Sequence, residues 1–234
     1  MTERIKELVS LLNKANKAYY QDAKEIMSNY EYDKLYDELI QLEKITGITL
    51  SNSPTVNVGY EVVSELPKEK HESPMLSLDK TKDRNELLKW LGDREGVLSW
   101  KLDGLTVVLT YENGELVKAV TRGNGEIGEN VTNNAKHIKK LPLKIPYKDK
   151  LILRGEAVIS YPDFKAINAD IPEGQEKYSN ARNLASGSIR QLDSEIAAKR
   201  KLRWIAFRVE TPPDRMDEVT EQFNWLSSMG VEVT

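Results

Sequence analysis

Lys101-Leu102-Asp103-Gly104 is the segment of this 234-residue chain with the clearest chemical potential. A lysine just before a glycine turn, with a carboxylate two residues on, suits a nucleophilic amine that attacks a phosphate or a carbonyl. Such an amine must first shed its proton, which burial and neighbouring cations favour, and the carboxylate can hold a proton or a metal ion. A surface hairpin lysine has the same appearance, so these four residues do not decide the matter alone. A second candidate is Gly123-Asn124-Gly125-Glu126-Ile127-Gly128, a GxGxxG pattern with Asp149 about twenty residues further on, as in a dinucleotide-binding βαβ unit. Its setting argues against that unit. The strand before it is the return arm of a hairpin, and the next apolar strand follows a loop rich in Pro and Lys. A tight turn that brings backbone close to a phosphate is the better reading. A GxxxxGK[ST] phosphate loop is absent from the sequence.

Composition removes other chemistries. With 0 Cys there is no disulfide scaffold, thiolate zinc site, iron–sulfur cluster or cysteine nucleophile. The two histidines, His71 and His137, are too few for a His-rich metal site and make a Ser-His-Asp triad a poor fit. No apolar run approaches the ~18 residues of a membrane span, and Met1-Thr2-Glu3-Arg4 does not start a signal peptide. The expectation is a soluble, cytoplasmic protein with no membrane partner. The net charge of −3 hides a segregation: residues 177–208 hold eight Lys/Arg against Asp193 and Glu195, a net of +6, and residues 209–234 carry a net of −5. A basic stretch can bind phosphate backbones, but on charge alone a solvated helical face is the simpler reading.

These residues need elements to position them. Ile5, Leu8, Val9, Leu12, Ala15 and Tyr19 recur at helical spacing, a stripe on a helix of about five turns that Thr2 could cap. Ser28 followed by Glu31 is a capping box, after which Leu35, Leu39 and Leu42 line one face of a second helix. The pair forms a hairpin joined through residues 21–27 and ended by residues 47–54. After Pro74 the period changes. Strands are expected at 96–102, 105–111, 115–121, 151–160 and 202–209, with a type I′ turn at Asn113-Gly114. Short helices are expected at 83–91, 130–138, 162–169, 181–192 and 217–229. The fold class is α+β: a largely antiparallel sheet domain over residues 56–234, with a small helical module over 1–55.

Taken in order, several fragments resemble the adenylation region of bacterial NAD-dependent DNA ligases, from about Ala15 onward. They are Tyr19-Tyr20 with Tyr32-Asp33; Pro74-Met75-Leu76-Ser77-Leu78; Lys101-Leu102-Asp103-Gly104; Thr121-Arg122-Gly123; Leu153-Arg154-Gly155-Glu156; and Ala181-Arg182-Asn183-Leu184-Ala185-Ser186-Gly187-Ser188-Ile189-Arg190-Gln191-Leu192. Each is modest, but together in this order they are specific. The resemblance implies a nucleotidyltransferase domain of the DNA ligase type, acting in DNA replication and repair with NAD and Mg2+.

The roles it implies are as follows. Lys101 attacks the α-phosphate of NAD, forms a lysyl-AMP and releases nicotinamide mononucleotide. Asp103 positions a divalent ion or the amine. Arg122 holds phosphate or ribose, and its charge favours the free amine. Glu156 contacts the adenosine ribose or the metal. Ser77 and Leu78 line the adenine pocket, on which Phe207 stacks. Tyr19, Tyr20, Asn29, Tyr32 and Asp33 grip the nicotinamide mononucleotide half, and Arg182 and Arg190 face nicked double-stranded DNA.

Departures from the family pattern are Ser99, where the residue two before the lysine is usually acidic; Asn29, in place of an acidic residue; and Asn124, in place of the aspartate of TRGDG. Two further lysine motifs are expected beyond Lys201, the last lysine of the chain, as are the oligonucleotide-binding, zinc, helix-hairpin-helix and carboxyl-terminal domains. The expectation is therefore a truncated region that binds NAD and does not seal nicks unaided. The alternatives are a non-catalytic nucleotide- or nucleic-acid-binding module of the same fold, or an ATP-dependent ligase or capping enzyme. The Tyr-rich helical module disfavours the latter.

Overall fold

Helix α1 (Thr2–Tyr20) forms because its apolar residues fall on one stripe: Ile5, Leu8, Val9 and Leu12 are buried, with Ala15 below them. Thr2, expected as its cap, is itself the first helical residue. Helix α2 (Asn29–Thr46) begins at the capping box. The Glu31 backbone N–H donates to Ser28 Oγ at 3.2 Å, and the Ser28 N–H donates to the Glu31 carboxylate at 2.9 Å. It ends at Gly47, whose φ of 67° is the left-handed conformation that stops a helix. Leu39 is buried against α1, with Tyr32, Leu35, Tyr36 and Leu42 packed around it. The returning chain is tied down by Glu43, whose buried carboxylate accepts from Ser53 Oγ and Thr55 Oγ1, both at 2.6 Å.

This computed structural model describes residues 2–20, 26–56, 65–75, 79–214 and 216–234, with the side chains of Tyr19 and Tyr20 left aside. The part of the 21–27 connection before residue 26 therefore lies outside the described residues.

Past the hairpin come β1 (Lys68–Lys70), α3 (Arg84–Leu91), β2 (Leu105–Glu112), β3 (Glu115–Thr121), β4 (Ile127–Glu129), α4 (Thr132–Ala135), β5 (Leu151–Val158), α5 (Tyr161–Ala169), α6 (Ala181–Ile189), α7 (Ser194–Lys199), β6 (Arg203–Val209) and α8 (Val219–Ser228). Four strands make an antiparallel sheet in the order β3-β2-β5-β6, and β1 pairs with β4 in a two-stranded ladder. The β2–β3 turn has the expected chemistry: Asn113 and Gly114 both take positive φ, 53° and 79°.

Strands β2 and β5 are covered on both faces. Leu105, Val107, Leu109 and Tyr111 of β2, with Leu151, Leu153 and Ala157 of β5, face the main core beside Trp204, Leu184, Ile189 and Leu226. The alternate residues Val108 and Ile152 meet Met75 on the opposite face. The same parity places Thr106, Arg154 and Glu156 on that second face, because a strand's side chains alternate.

Two expected elements are corrected. Residues 96–102 are irregular rather than a strand. Their apolar and aromatic content suits a strand, but among the described residues no ladder partner reaches them, and Leu98 and Trp100 stand 99% and 87% exposed. The helix expected over 130–138 shrinks to Thr132–Ala135. Strands β1 and β4 and helix α7 had no periodic signal, the strands being three residues each. The GxGxxG segment is a tight turn between β3 and β4, where Gly123 takes a φ of 58° and Asn124 Oδ1 accepts from the backbone of Glu126 and Ile127.

Arg190, at the end of α6, is a structural tie. Its guanidinium meets the Glu129 carboxylate of β4 at 2.7 Å, with the two side chains only 12% and 1% exposed. Arg190→Ala leaves that carboxylate buried without its cation and lowers the unfolding free energy by about 3 kcal/mol. Arg182→Ala, whose partner is exposed, changes it by about 1 kcal/mol or less. Urea unfolding of the two variants measures the contrast.

Candidate active site

The turn that carries Lys101 is fixed from beneath by Glu156. Its carboxylate accepts from the Gly104 backbone N–H at 3.0 Å and from Thr106 Oγ1 at 2.8 Å. Thr106 and Glu156 are register partners in the β2–β5 ladder, so two motifs 52 residues apart are held as cross-strand neighbours. Burial raises the Glu156 carboxyl above its ordinary value, opposed by Thr106, Arg182, Gly104 and Lys101. Gly104 is required by close approach: a Cβ there would lie 2.0 Å from the Ala157 carbonyl oxygen. The turn can rest on β5 only if that residue has no side chain.

Above this turn Lys101 and Asp103 open into a cleft of about 360 Å3. Asn29, Tyr32 and Asp33 of α2, together with Ala15, Asn16, Ile26, Met27, Lys80 and Arg182, complete its wall. Arg182 stands at the start of α6, where the Asn180 side chain caps the helix by accepting from the Asn183 N–H at 2.7 Å. From there its Nη1 donates to Asp103 Oδ1 at 2.8 Å. The cleft therefore presents an amine, a carboxylate held by a guanidinium, and the polar face of a helix. That set can bind a phosphorylated ligand and direct an amine at it.

Arg122 follows β3 at the edge of the second sheet face. Its backbone N–H donates at 2.9 Å to the carbonyl of Thr106, the residue whose hydroxyl grips Glu156. Its carbonyl receives the Gly125 N–H at 3.0 Å and lies 3.1 Å from His71 Nε2, which is also 3.1 Å from the Thr121 carbonyl. Burial lowers the His71 pKa, so the ring is neutral and donates from Nε2 to these carbonyls. Arg154 shares this face, in a buried pair with Glu210 at 2.8 Å. Desolvation depresses its guanidinium, and Arg208 and Arg122 add to that.

Of the residues singled out in the sequence, Lys101, Asp103, Asn29, Tyr32, Asp33 and Arg182 meet in the cleft. Glu156 lies directly behind it. Ser99 is exposed in the irregular segment. Phe207 is the half-buried extra residue of a β-bulge in β6, where the register shifts between Arg154 and Gly155, and it does not line the cleft. Arg190 is engaged with Glu129. Ser77 and Leu78, and the side chains of Tyr19 and Tyr20, lie outside the described residues.

The basic stretch is largely occupied internally: besides Arg182 and Arg190, Lys201, Arg203 and Arg208 pair with Asp163, Glu232 and Glu210. Lys80, Asn16, Thr106 and His71 escaped sequence reasoning. Only their neighbours in space distinguish them, and no spacing rule does. No helix among the described residues is long and apolar enough to cross a membrane.

Comparison with known proteins accounts for this arrangement. Residues 63–234 match the family model of the NAD-dependent DNA ligase adenylation domain, and residues 1–59 match that of the DNA ligase-like, N-terminal NAD+-binding domain. A DNA ligase of Lachnoclostridium phytofermentans is 61% identical over 237 residues, covering 99% of this chain and 36% of that protein. One from Ruminiclostridium cellulolyticum is 55% identical, covering 98% and 35%, and one from Campylobacter fetus is 41% identical, covering 95% and 36%. The chain thus spans about a third of the length of the curated relatives it matches. Its helical hairpin and its antiparallel sheet correspond in order to the two matched domains, and the chain belongs to the NAD-dependent DNA ligase family.

Proposed function

We propose that Lys101 is the nucleophile of self-adenylation. Its uncharged amine attacks the α-phosphate of NAD, a P–N bond forms, and the P–O bond to nicotinamide mononucleotide breaks as that group leaves with the electron pair. In the whole protein the AMP then passes to a 5′-phosphate in nicked DNA, and the nick is sealed in the cytoplasm. Residues 1–55 serve as the module for the nicotinamide mononucleotide half and residues 56–234 as the adenylation domain. The observation that carries this reading is the single cleft in which Lys101 and Asp103 face Asn29, Tyr32 and Asp33 of α2.

The other groups take roles from their positions. Glu156 holds the turn at Gly104 and Thr106, so that Lys101 meets the substrate without searching. Arg182 fixes the Asp103 carboxylate. Arg122, whose backbone N–H is held by the Thr106 carbonyl, is assigned to the phosphate or ribose of NAD, and Arg182, at the cleft, to a phosphate. A divalent ion, Mg2+ in this reading, would supply positive charge to the phosphates when bound. Among the described residues no group of three or more His, Asp or Glu gathers to hold one. Asp103, 58% exposed at the cleft, is the carboxylate that would hold it. A lone carboxylate fits Mg2+, which takes most of its ligands from substrate phosphates and water.

Intact mass measurement after incubation with NAD and Mg2+ tests the reading. The expected result is one added AMP on the chain and none on Lys101→Ala. An unmodified chain that still binds NAD would point instead to a binding-only module, a reading that Asn29 at the cleft wall favours.

Glu156→Gln supplies a second test. It loosens the turn and slows adenylation by about tenfold to a hundredfold, with NAD binding retained. Because its folded value is raised, Glu156 contributes most to stability while protonated. That contribution falls as pH rises from the ordinary 4.5 through the folded value. Glu156→Gln flattens this slope in urea unfolding across the same range.

A further inference from the structure

Lys80 stands in the cleft wall on the far side from the sheet, in the segment that crosses in front of α2. Its Nζ lies 3.2 Å from Asp33 Oδ1 and 4.8 Å from the centroid of the Tyr36 ring. Two residues on, Lys82 reaches Asp37 at 2.9 Å. Asp33, Tyr36 and Asp37 occupy successive positions on one face of α2, so the two lysines run along that face as a pair.

Their settings differ in one respect. Lys80 and Asp33 line the cleft with Lys101, and Lys82 and Asp37 do not. The cleft wall thus carries Lys80, Lys101 and Arg182 against Asp33 and Asp103, an excess of one positive charge before a ligand enters. Arg182 is held to Asp103 at 2.8 Å in a pair covered only on the arginine side, where the guanidinium is 18% exposed and the carboxylate 58%. Lys80 is 57% exposed and Asp33 47%, a solvated pair that holds its partner weakly and exchanges it readily. The Tyr36 ring beneath keeps the ammonium at the cleft when the carboxylate lets go.

We propose that Lys80 is a positioning residue that binds the phosphate of the nicotinamide mononucleotide half, turning from Asp33 to the phosphate when the ligand enters. Asp33 is then left free to accept hydrogen bonds from the sugar hydroxyls of the same ligand. The inference rests on the reading of the cleft as the dinucleotide site and adds to it the group that recognises phosphate on the α2 side. In the free mononucleotide the phosphate is a monoester and carries more charge than the single carboxylate it displaces, so the exchange favours the bound state.

Calorimetric titration of the 234-residue chain with nicotinamide mononucleotide and with nicotinamide riboside, which lacks the phosphate, tests it. The expected result is tighter binding of the mononucleotide. Lys80→Ala weakens it by about tenfold and leaves the riboside unchanged, Lys80→Arg restores it, and Lys82→Ala has no effect on the preference. A phosphate preference that persists in Lys80→Ala, or equal binding of both ligands by the unaltered chain, overturns the assignment of Lys80. Binding of neither ligand by the unaltered chain overturns the reading of the cleft itself. A general loss in Lys80→Ala that affects both ligands alike marks a structural clasp and also overturns the proposal.

Discussion

The buried carboxylate of Glu156 organises this site. A charged group at that depth is costly unless its oxygens are occupied, and here one takes the Gly104 N–H and the other the Thr106 hydroxyl. Both partners belong to the chain just after Lys101, so satisfying the carboxylate and fixing the Lys101 turn are one requirement. The close approach of Gly104 to the Ala157 carbonyl follows from it, since the turn must lie flat on β5 for those bonds to form. The same demand sets the register of β2 against β5, because a slip of one residue would carry Glu156 to the opposite face.

Charge around this centre is graded by depth. Arg190–Glu129 and Arg154–Glu210 are buried and serve the frame, since a missing partner there strands an ion away from water. Arg182–Asp103 lies at the boundary, the arginine covered and the carboxylate open to the cleft. Lys80–Asp33 and Lys82–Asp37 are solvated, where a pair contributes about 0–1 kcal/mol. The gradient runs from fixed ions beneath the site to exchangeable ones at its mouth. Such an order suits a cleft that keeps the Lys101 turn fixed and can exchange a charged ligand at its mouth.

Much of the frame was legible in the sequence wherever the signal was local. Ser28 and Glu31 cap α2, Asn113-Gly114 turns the β2–β3 hairpin, and the β-branched residues over 105–111 mark a strand. Signals that needed a distant partner were misleading. Residues 96–102 have the composition of a strand, yet no ladder among the described residues takes them up. Arg190 reads as a surface cation in a basic stretch, and only Glu129, 61 residues away, reveals it as buried. Phe207 falls at a bulge, an event of register that composition does not report. Lys101 and Asp103 stood out by residue type and spacing before the family resemblance gave them roles. Asn29, Tyr32 and Asp33 came from the resemblance alone, and the described structure gathers all five at one cleft.

That cleft lies between two separate cores. The buried cluster of α1 and α2, built on Ile5, Leu8, Val9, Leu12 and Leu39, shares no residue with the cluster beneath the sheet. Polar contacts pass directly between the helices and the later chain: Lys80 to Asp33 and Tyr36, and Lys82 to Asp37. Contacts of this kind hold an orientation loosely, because water replaces them at little cost. A ligand that fills the cleft and touches both walls adds the missing connection, so its own binding free energy would fix α2 over Lys101. The orientation of α2 over Lys101 then depends on occupancy of the cleft, and the rigid half is the sheet with Glu156 at its surface.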